Sequence, residues 1–336
     1  MKYYVAPLEG ITGYVFRTVH HRHFKGADKY YIPFIEPKPG ARKVFGGREL
    51  NDIIPEHNVD IPVVPQILTN KWEDFMWTAN HLKDDYGFTE LNLNLGCPSK
   101  TVANKGRGSG FLAYPQQLDI FLENIFANWD GELSIKTRIG RENPEEFPVL
   151  MEIYQKYPIK ELIIHPRTTR DYYGNFPKVD AVKYALKQVD YPIGYNGDIK
   201  TIQNVKWLEG ELSGLDSMMM GRGILRNPQL IENILEQTLP DRKRIIEFHE
   251  DLYASYQEVL SGETPVLHKM KELWCYMRDL FVDLGSYEKP LKKAKHLSEF
   301  HAAALGILQN CEIKELQEQQ ICSGELDGVS IFKKLV

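Results

Sequence analysis

A single cysteine, Cys97, stands at the centre of the most informative stretch of the sequence, LNLNLGCPSKTVANKGRGSGFL. It follows a strand-like run, precedes Pro98, and opens a loop of about 15 residues, which is longer than ordinary connections between a strand and a helix. Such loops often carry function. A lone cysteine is also a common small core residue, so its loop position is what makes Cys97 a candidate functional thiol. The chain's four cysteines form no CxxC pair, which supports neither a zinc ribbon nor a disulfide framework.

Two glycine-containing turns could hold a phosphate group. Residues 221–223 (GRG) follow the last strand-like run, and residues 196–198 (NGD) follow the one before it. Backbone amides and an arginine in such turns suit phosphate, and barrel enzymes commonly bind phosphate after their seventh and eighth strands. Each could be a simple structural turn, but two in neighbouring loops favour a binding site. Neither GxGxxG nor GxxxxGK[ST] occurs, so an ordinary nicotinamide-binding fold and a P-loop are not predicted.

Two ionisable residues lie within apolar runs. Lys136 interrupts LSIKTRIG, and because burying an unpaired ammonium group is costly, the lysine is expected to face an anionic or electron-rich ligand. His165 ends the run LIIH, where it could contact a ligand or be a core histidine with satisfied hydrogen bonds. The spacing of the His, Cys and Asp residues predicts no metal site, no GxSxG motif is present, and no pair of carboxylates stands out.

Eight strand-like runs could bring these residues together. They lie at residues 3–6, 30–35, 63–67, 89–95, 133–137, 162–165, 192–195 and 216–220. Amphipathic helical runs separate most of them, including residues 72–86, 115–129 and 179–189. Alternating strands and helices with a period of roughly 30 residues suit both a (β/α)8 barrel and a doubly wound sheet, but eight strands favour the barrel.

Six of the eight runs have polar residues at or just beyond their carboxyl ends: Gln66, Asn94 with Cys97, Lys136 with Arg138, His165 with Arg167, Asn196 with Asp198, and Arg222. In a barrel the carboxyl ends of all strands converge on one mouth, where side chains from different strands can surround one ligand. Strand ends also meet solvent in any protein, but polar ends on this many strands favour a site.

The composition and the last third of the chain complete the sequence-based prediction. With 43% hydrophobic and 26% charged residues, the chain is expected to be a globular protein, and without a signal peptide or an apolar span it is expected in the cytoplasm. A net charge of −5 argues against a wholly basic nucleic-acid coat protein. Helices are predicted at residues 242–260, 266–284 and 290–308. We therefore expect a barrel at residues 1–240 and a helical domain at residues 241–336.

Six motifs occur in order along nearly the whole chain: APLEGIT, LNLGCPS, SIKTRIG, IHPRT, NGDI and MGRG. In order and spacing they resemble those of the tRNA-dihydrouridine synthase family. The resemblance implies an FMN-dependent (β/α)8 barrel with a C-terminal helical domain that binds tRNA. It also implies an activity that uses NADPH to reduce the C5–C6 double bond of particular uridines in tRNA.

The resemblance further implies roles for individual residues. Cys97 would be the proton donor, and Asn94 and Arg167 would contact the uridine. The residues implied to bind FMN are Pro7, Leu8, Glu9, Gln66, Lys136, His165, Asn196, Gly197, Asp198, Gly221 and Arg222. This chain has APLEG where the family usually has APM followed by a small residue, and IHPRT where IHGRT is commoner. The first departure would place Glu9 near the flavin edge.

The implied chemistry agrees with the residue types. Hydride from N5 of reduced FMN would reach C6 of uracil, and C5 would then need a proton, which a thiol can give because it is largely protonated near neutrality. Lys136 would stabilise negative charge on the N1–O2 side of the reduced flavin ring. A uridine inside folded tRNA must be flipped out to enter the barrel mouth.

A cluster of lysines in the helical domain could hold the RNA. If residues 290–308 form one helix, Lys289, Lys292, Lys293 and His296 share a face, and no acidic residue interrupts the run from Lys289 to Ser298. A solvated charged face is the ordinary alternative, but its place in the implied tRNA-binding domain favours phosphate contact.

Two other functions remain open at this point. One is a small-molecule FMN oxidoreductase of the dihydroorotate or dihydropyrimidine dehydrogenase kind, which would have a closed mouth and no RNA-docking surface. The other is an RNA-binding module that keeps the barrel as a scaffold, against which the intact Cys97, Lys136 and Arg222 weigh.

Overall fold

The computed structural model describes residues 1–314, and within them eight short parallel strands close into a barrel in sequence order. The strands are β1 (Lys2–Val5), β2 (Lys29–Ile35), β3 (Val63–Ile67), β4 (Glu90–Leu95), β5 (Glu132–Arg138), β6 (Glu161–His165), β7 (Ile193–Asn196) and β8 (Ser217–Met220). Strand β1 pairs with both β2 and β8, which closes the sheet. The predicted (β/α)8 barrel is confirmed, and the doubly wound sheet is not the fold.

Helices follow the strands around the barrel and then continue alone. The barrel helices are α1 (Tyr14–His23), α2 (Gly47–Ile53), α3 (Trp72–Tyr86), α4 (Lys100–Ala103), α5 (Pro115–Asn128), α6 (Phe147–Tyr154), α7 (Val179–Ala185), α8 (Ile202–Glu211), α9 (Arg222–Arg226) and α10 (Leu230–Glu236). The C-terminal helices are α11 (Arg242–Val259), α12 (Glu263–Met277), α13 (Glu288–Lys293) and α14 (Leu297–Asn310). None of the helices within residues 1–314 combines the length and apolar character that a membrane-spanning helix needs.

The strand register places the polar strand ends at one mouth. Asn94 on β4 lies opposite Lys136 on β5, and Arg138 on β5 lies opposite His165 on β6. Because the strands are parallel, these residues all lie near the carboxyl ends, where barrel enzymes build their sites.

The C-terminal helices pack directly on the barrel through an aromatic contact. Phe248 of α11 meets Phe16 and Phe24, at the two ends of α1, with ring centroids 6.0 and 5.4 Å apart. All three side chains are buried. One apolar cluster therefore runs from the barrel into residues 241–314, and the division into a catalytic domain and a tRNA-binding domain stays a prediction. Residues 315–336 of the predicted helical domain lie outside the described residues.

The predicted helix over residues 290–308 is wrong, because the chain breaks into two helices there. Helix α13 ends at Lys293, Ala294 leaves the helical conformation, and His296 is extended before α14 begins. The Lys271 ammonium group donates to the carbonyl oxygens of Lys292 (3.3 Å) and Ala294 (2.6 Å), and this tertiary contact satisfies the end of α13. His296 therefore does not share a helical face with the lysines.

The predicted helix over residues 266–284 also ends early. Helix α12 stops at Met277, and a short 3-10 turn, Arg278–Leu280, leads into an extended Phe281. Phe281 then forms an isolated antiparallel β-bridge with Ile313. Because its backbone is extended and paired there, Phe281 is not part of a helix.

Candidate active site

A cavity of about 190 Å³ opens at the mouth of the barrel. Twelve of the predicted site residues line it: Pro7, Leu8, Glu9, Gln66, Asn94, Cys97, Lys136, His165, Asn196, Gly197, Gly221 and Arg222. Asp198 and Arg167 do not line it, but they bond to residues that do. The predicted convergence of strand ends on one cavity is therefore present in the structure.

Cys97 is held at this cavity by the side chain of Asn94. The Asn94 carbonyl oxygen accepts the backbone N–H groups of Gly96 (3.0 Å) and Cys97 (2.9 Å), which forms a tight turn directly after β4. Burial raises the pKa of the Cys97 thiol. The thiol is therefore kept protonated at neutral pH.

A chain of side-chain amides fixes Asn94 in turn. The Asn94 amide donates to Gln66 (2.7 Å), and the Gln66 amide donates to Asn92 (2.7 Å). All three side chains are buried. The Asn94 carbonyl oxygen already accepts two hydrogen bonds, and its amide group already donates one. The structure therefore gives this residue a role in positioning Cys97, in addition to the predicted contact with substrate.

The long loop after Cys97 folds back onto it. The backbone N–H and the hydroxyl of Ser109 both donate to the Cys97 carbonyl oxygen, at 3.1 and 2.8 Å. Gly108, whose φ is +54°, leaves no room for a side chain, since a Cβ there would lie 2.9 Å from the same oxygen. The absence of a side chain at Gly108 thus allows the loop to pack against the backbone of Cys97.

Lys136 faces the cavity without an anionic partner. Within residues 1–314 its ammonium group has no hydrogen bond or ion pair. Burial, and then the charge of Arg138, lower the pKa of Lys136 to about 7. A lysine in this state would gain a favourable contact from an electron-rich ligand in the cavity.

A line of charged groups joins the ends of β6, β7 and β8. The two oxygens of Asp198 pair separately with Arg167 (2.5 Å) and with Arg222. Burial alone would raise the pKa of Asp198, but the bond and charge of Arg167 and the charge of Arg222 hold it below its usual value. The carboxylate therefore stays ionised and orients Arg222 at the cavity.

His165 is neutral at this site. Burial, followed by the charges of Arg138 and Lys136, holds the pKa of His165 well below its usual value. Its Nε2 lies 3.0 Å from Nη1 of Arg167, and because arginine only donates, Nε2 is the acceptor and the ring proton is on Nδ1.

Two further residues complete the cavity. Arg138, which is fully buried, donates to Gly96 (2.9 Å) and Thr168 (2.7 Å), while its Nη2 is buried with no hydrogen-bond partner among residues 1–314. The ring of Tyr173 lies between the guanidinium groups of Arg138 (5.3 Å) and Arg222 (4.7 Å). Arg138 is one of the predicted polar strand ends but had no predicted role, and Tyr173 was not predicted.

The loop that carries Tyr173 is organised by Asp171. Its carboxylate accepts the backbone N–H of Thr168 (2.8 Å) and pairs with Lys178 (3.1 Å). Burial alone would raise the pKa of Asp171, but these contacts lower it to about 2. The carboxylate therefore remains charged and holds the turn that directs Tyr173 to the cavity.

The predicted RNA-contacting lysines lie away from this cavity, on the short helix α13. All three lysines are exposed, but Lys292 pairs with Glu288 at 2.5 Å, one turn before it. The lysine cluster is therefore less positive than the sequence indicates.

The C-terminal helices also bring together three potential metal-ligating residues, two histidines and one glutamate, that the spacing did not reveal. Glu250 bonds to Nδ1 of His249 (2.9 Å) and Nε2 of His301 (2.9 Å), and the Trp274 indole N–H donates to Nε2 of His249 (3.0 Å). Because an indole N–H can only donate, Nε2 of His249 must accept and its Nδ1 must carry a proton. A protonated Nδ1 cannot ligate a metal, so this cluster is a hydrogen-bond network between helices.

Solved structures with the same fold have very different sequences. The old yellow enzyme from Trypanosoma cruzi superposes with a TM-score of 0.51 at 9% identity, over 77% of this chain and 94% of its own. A variant of morphinone reductase in complex with tetrahydroNAD gives 0.51 at 11% identity, over 72% of this chain and 89% of its own. At such low identity these similarities concern the fold alone.

Sequence comparison is more specific. A probable tRNA-dihydrouridine synthase of Staphylococcus aureus is 30% identical over 267 residues, which cover 76% of this chain and 78% of the relative. The tRNA-dihydrouridine synthase B of Pasteurella multocida is 26% identical over 265 residues, covering 75% and 78%. The family model for dihydrouridine synthases matches residues 4–320, nearly the full length. The chain therefore belongs to the dihydrouridine synthase family.

Proposed function

We propose that this protein reduces the C5–C6 double bond of specific uridines in tRNA, with bound FMN and with NADPH as the reductant. The observation that carries the proposal is the cavity in which a protonated thiol, Cys97, and an unpaired lysine, Lys136, meet at the mouth of a barrel of this family. The names of the relatives support tRNA as the substrate.

The cavity suits FMN on the chemistry of its residues. Lys136 offers an unpaired cation for the electron-rich side of the ring, and Arg222, with the glycine turns at 197 and 221, offers a site for the phosphate. A Cβ on Gly197 would lie 2.2 Å from the Tyr195 hydroxyl, so this turn must remain free of a side chain. Pro7 and Leu8 would cover one face of the ring, and Glu9 would lie at its edge, where it pairs with Arg48.

When bound, FMN would supply the hydride that adds to C6 of uracil. The Cys97 thiol then gives its proton to C5, and Asn94 holds the thiol in place through its two backbone bonds. Arg138 and Tyr173 also line the cavity, where they would contact the extruded uracil ring. Arg167 would act on the substrate through His165 and Asp198, which it orients.

Two measurements test the proposed function. The purified protein should show a flavin absorption spectrum, and unmodified tRNA treated with the holoenzyme and NADPH should gain about 2 Da on uridine by mass spectrometry, the mass of the two hydrogen atoms added across C5–C6. A colourless protein that cannot be reconstituted with FMN would contradict the cofactor. Reduction of a free pyrimidine, with tRNA left unchanged, would favour a small-molecule oxidoreductase.

The lysines of α13 give a further prediction about RNA binding. Replacing Lys289 and Lys293 with Ala should weaken the binding of all tRNAs alike and lower the salt slope by about one unit for each phosphate that these lysines neutralise. Lys292→Ala should have the smaller effect, because Glu288 already neutralises this lysine. Equilibrium binding at several salt concentrations measures both quantities, and unaltered affinity and slope would assign the RNA to another surface.

A further inference from the structure

A second cavity, of about 240 Å³, lies between the barrel and the C-terminal helices. The loop between β1 and α1, helix α2 and the facing sides of α11 and α12 form its walls. It adjoins the candidate active site, since Glu9 lines the first cavity while the next residue, Gly10, lines the second. Arg48 of the second cavity bonds to Glu9 at 3.2 Å.

Three polar groups of this cavity lack hydrogen-bond partners within residues 1–314: the hydroxyls of Tyr14 and Tyr256 and the side-chain amide of Asn51. Tyr256 is a buried residue, Tyr14 is partly buried and Asn51 is exposed at the rim. All three groups are therefore available to hydrogen-bond a molecule that enters the cavity. Asp52, the buried acid of the cavity, is by contrast already paired with Arg17 at 3.2 Å.

The other walls of the second cavity are apolar. They include Ile11, Val15 and Pro33 on the barrel side and Leu260 at the end of α11. Apolar walls with a few hydroxyl and amide groups suit a single unstacked nucleobase.

A basic segment leads into the second cavity. Residues 37–48, which lead from β2 into α2, carry four cations in a chain whose net charge is −5, and two of these are ion-paired: Lys38 with Glu49 and Arg48 with Glu9. Arg42 and Lys43 are exposed and have no ion-pair partner among residues 1–314. The segment is anchored by the buried Phe45, whose ring meets Tyr86 edge-on at 5.7 Å.

From these observations we infer that the second cavity binds an unstacked base of the tRNA near the target uridine, while the unpaired Arg42 and Lys43 contact the adjoining phosphates. The inference rests on the proposed function. As the target uridine enters the first cavity, the strand must pass the neighbouring mouth, where the basic segment attracts its backbone and Asn51 and Tyr256 offer hydrogen bonds to a base.

Two double variants of the holoenzyme separate phosphate contacts from base contacts. Arg42→Ala with Lys43→Ala should weaken tRNA binding and reduce the salt slope by about two units, one for each cation removed. Asn51→Ala with Tyr256→Phe should weaken binding about 10-fold and leave the slope unchanged, because only neutral hydrogen bonds are removed. The matched control, Lys187→Ala with Lys206→Ala, changes the net charge by the same amount at exposed positions just after α7 and on α8 and should alter neither quantity.

Flavin content and the rate of flavin reduction by NADPH are measured on the same variants, and both should equal those of the wild type. Unaltered tRNA affinity in the cavity double variant would overturn the inference. Slower reduction by NADPH in that variant would also overturn it, since the cavity would then hold part of the reductant. If the wild type forms no dihydrouridine at all, the proposed function itself fails. If the wild type is active and the cavity double variant binds tRNA as tightly as the wild type does, only the inference about the second cavity fails.

Discussion

Replacing Cys97 with Ala should reduce the rate of tRNA reduction by about two to four orders of magnitude while leaving the bound flavin and its reduction by NADPH unchanged. The thiol lies at the cavity, and Asn94 holds its backbone through two hydrogen bonds, which an alanine at position 97 would keep. Only the proton donor is removed. Single-turnover oxidation of the reduced enzyme by tRNA measures this step directly.

The control for this prediction is another cysteine of the chain. Cys275 is exposed and lies on α12, away from the cavity lining, so Cys275→Ala should retain the wild-type rate. Equal rates for the wild type and for Cys97→Ala would mean that Cys97 only shapes the loop, and another group would then have to supply the proton.

The strands and the site they form were largely predictable, because both depend on local patterns. Short apolar runs bounded by Gly, Pro or Asn locate each strand within about two residues, and a closed parallel barrel then brings every polar strand end to one mouth. Lys136 and His165 could therefore be assigned to the same cavity although β5 and β6 are separated by a helix.

Features fixed by tertiary contacts were not predictable in the same way. Tyr173 comes from a loop with no strand or helix pattern, and its position depends on two arginines from different strands, Arg138 and Arg222. The break between α13 and α14 depends on Lys271, about 20 residues earlier, which satisfies carbonyl oxygens that a continuous helix would have used. No local propensity at residues 290–308 reveals that interaction.

The pairing of Lys292 with Glu288 shows a related limit. The run from Lys289 to Ser298 contains no acid, yet the residue directly before it neutralises one of the lysines from one helical turn away. A charge run judged on its own residues therefore overestimates the positive potential of a surface. The segment at residues 37–48 shows the same limit: Glu49 directly after it pairs with Lys38 and Glu9 pairs with Arg48, so only Arg42 and Lys43 remain unpaired among residues 1–314.

The state of Lys136 leads to a prediction about pH. Because burial and Arg138 lower the pKa of this lysine to about 7, roughly half of it is neutral near pH 7 when nothing anionic faces it. An electron-rich flavin ring beside the ammonium group favours the charged form. FMN should therefore bind best below pH 7, where the lysine is already protonated, and its affinity should fall as the pH rises above 7, where binding must take up a proton.

Lys136→Met keeps the length of the side chain and removes its charge, so it isolates this effect. At pH 6.5 the variant should bind FMN about 10- to 100-fold more weakly than the wild type, which corresponds to the loss of one hydrogen bond to a charged group. Quenching of flavin fluorescence by the apoprotein at pH 6 to 9 measures both affinities. The titration of the FMN phosphate affects both affinities equally, so it drops out of the ratio of wild-type to variant affinity. This ratio should decrease toward one as the pH rises. A ratio that stays constant across the range would mean that the ammonium group of Lys136 does not face the flavin.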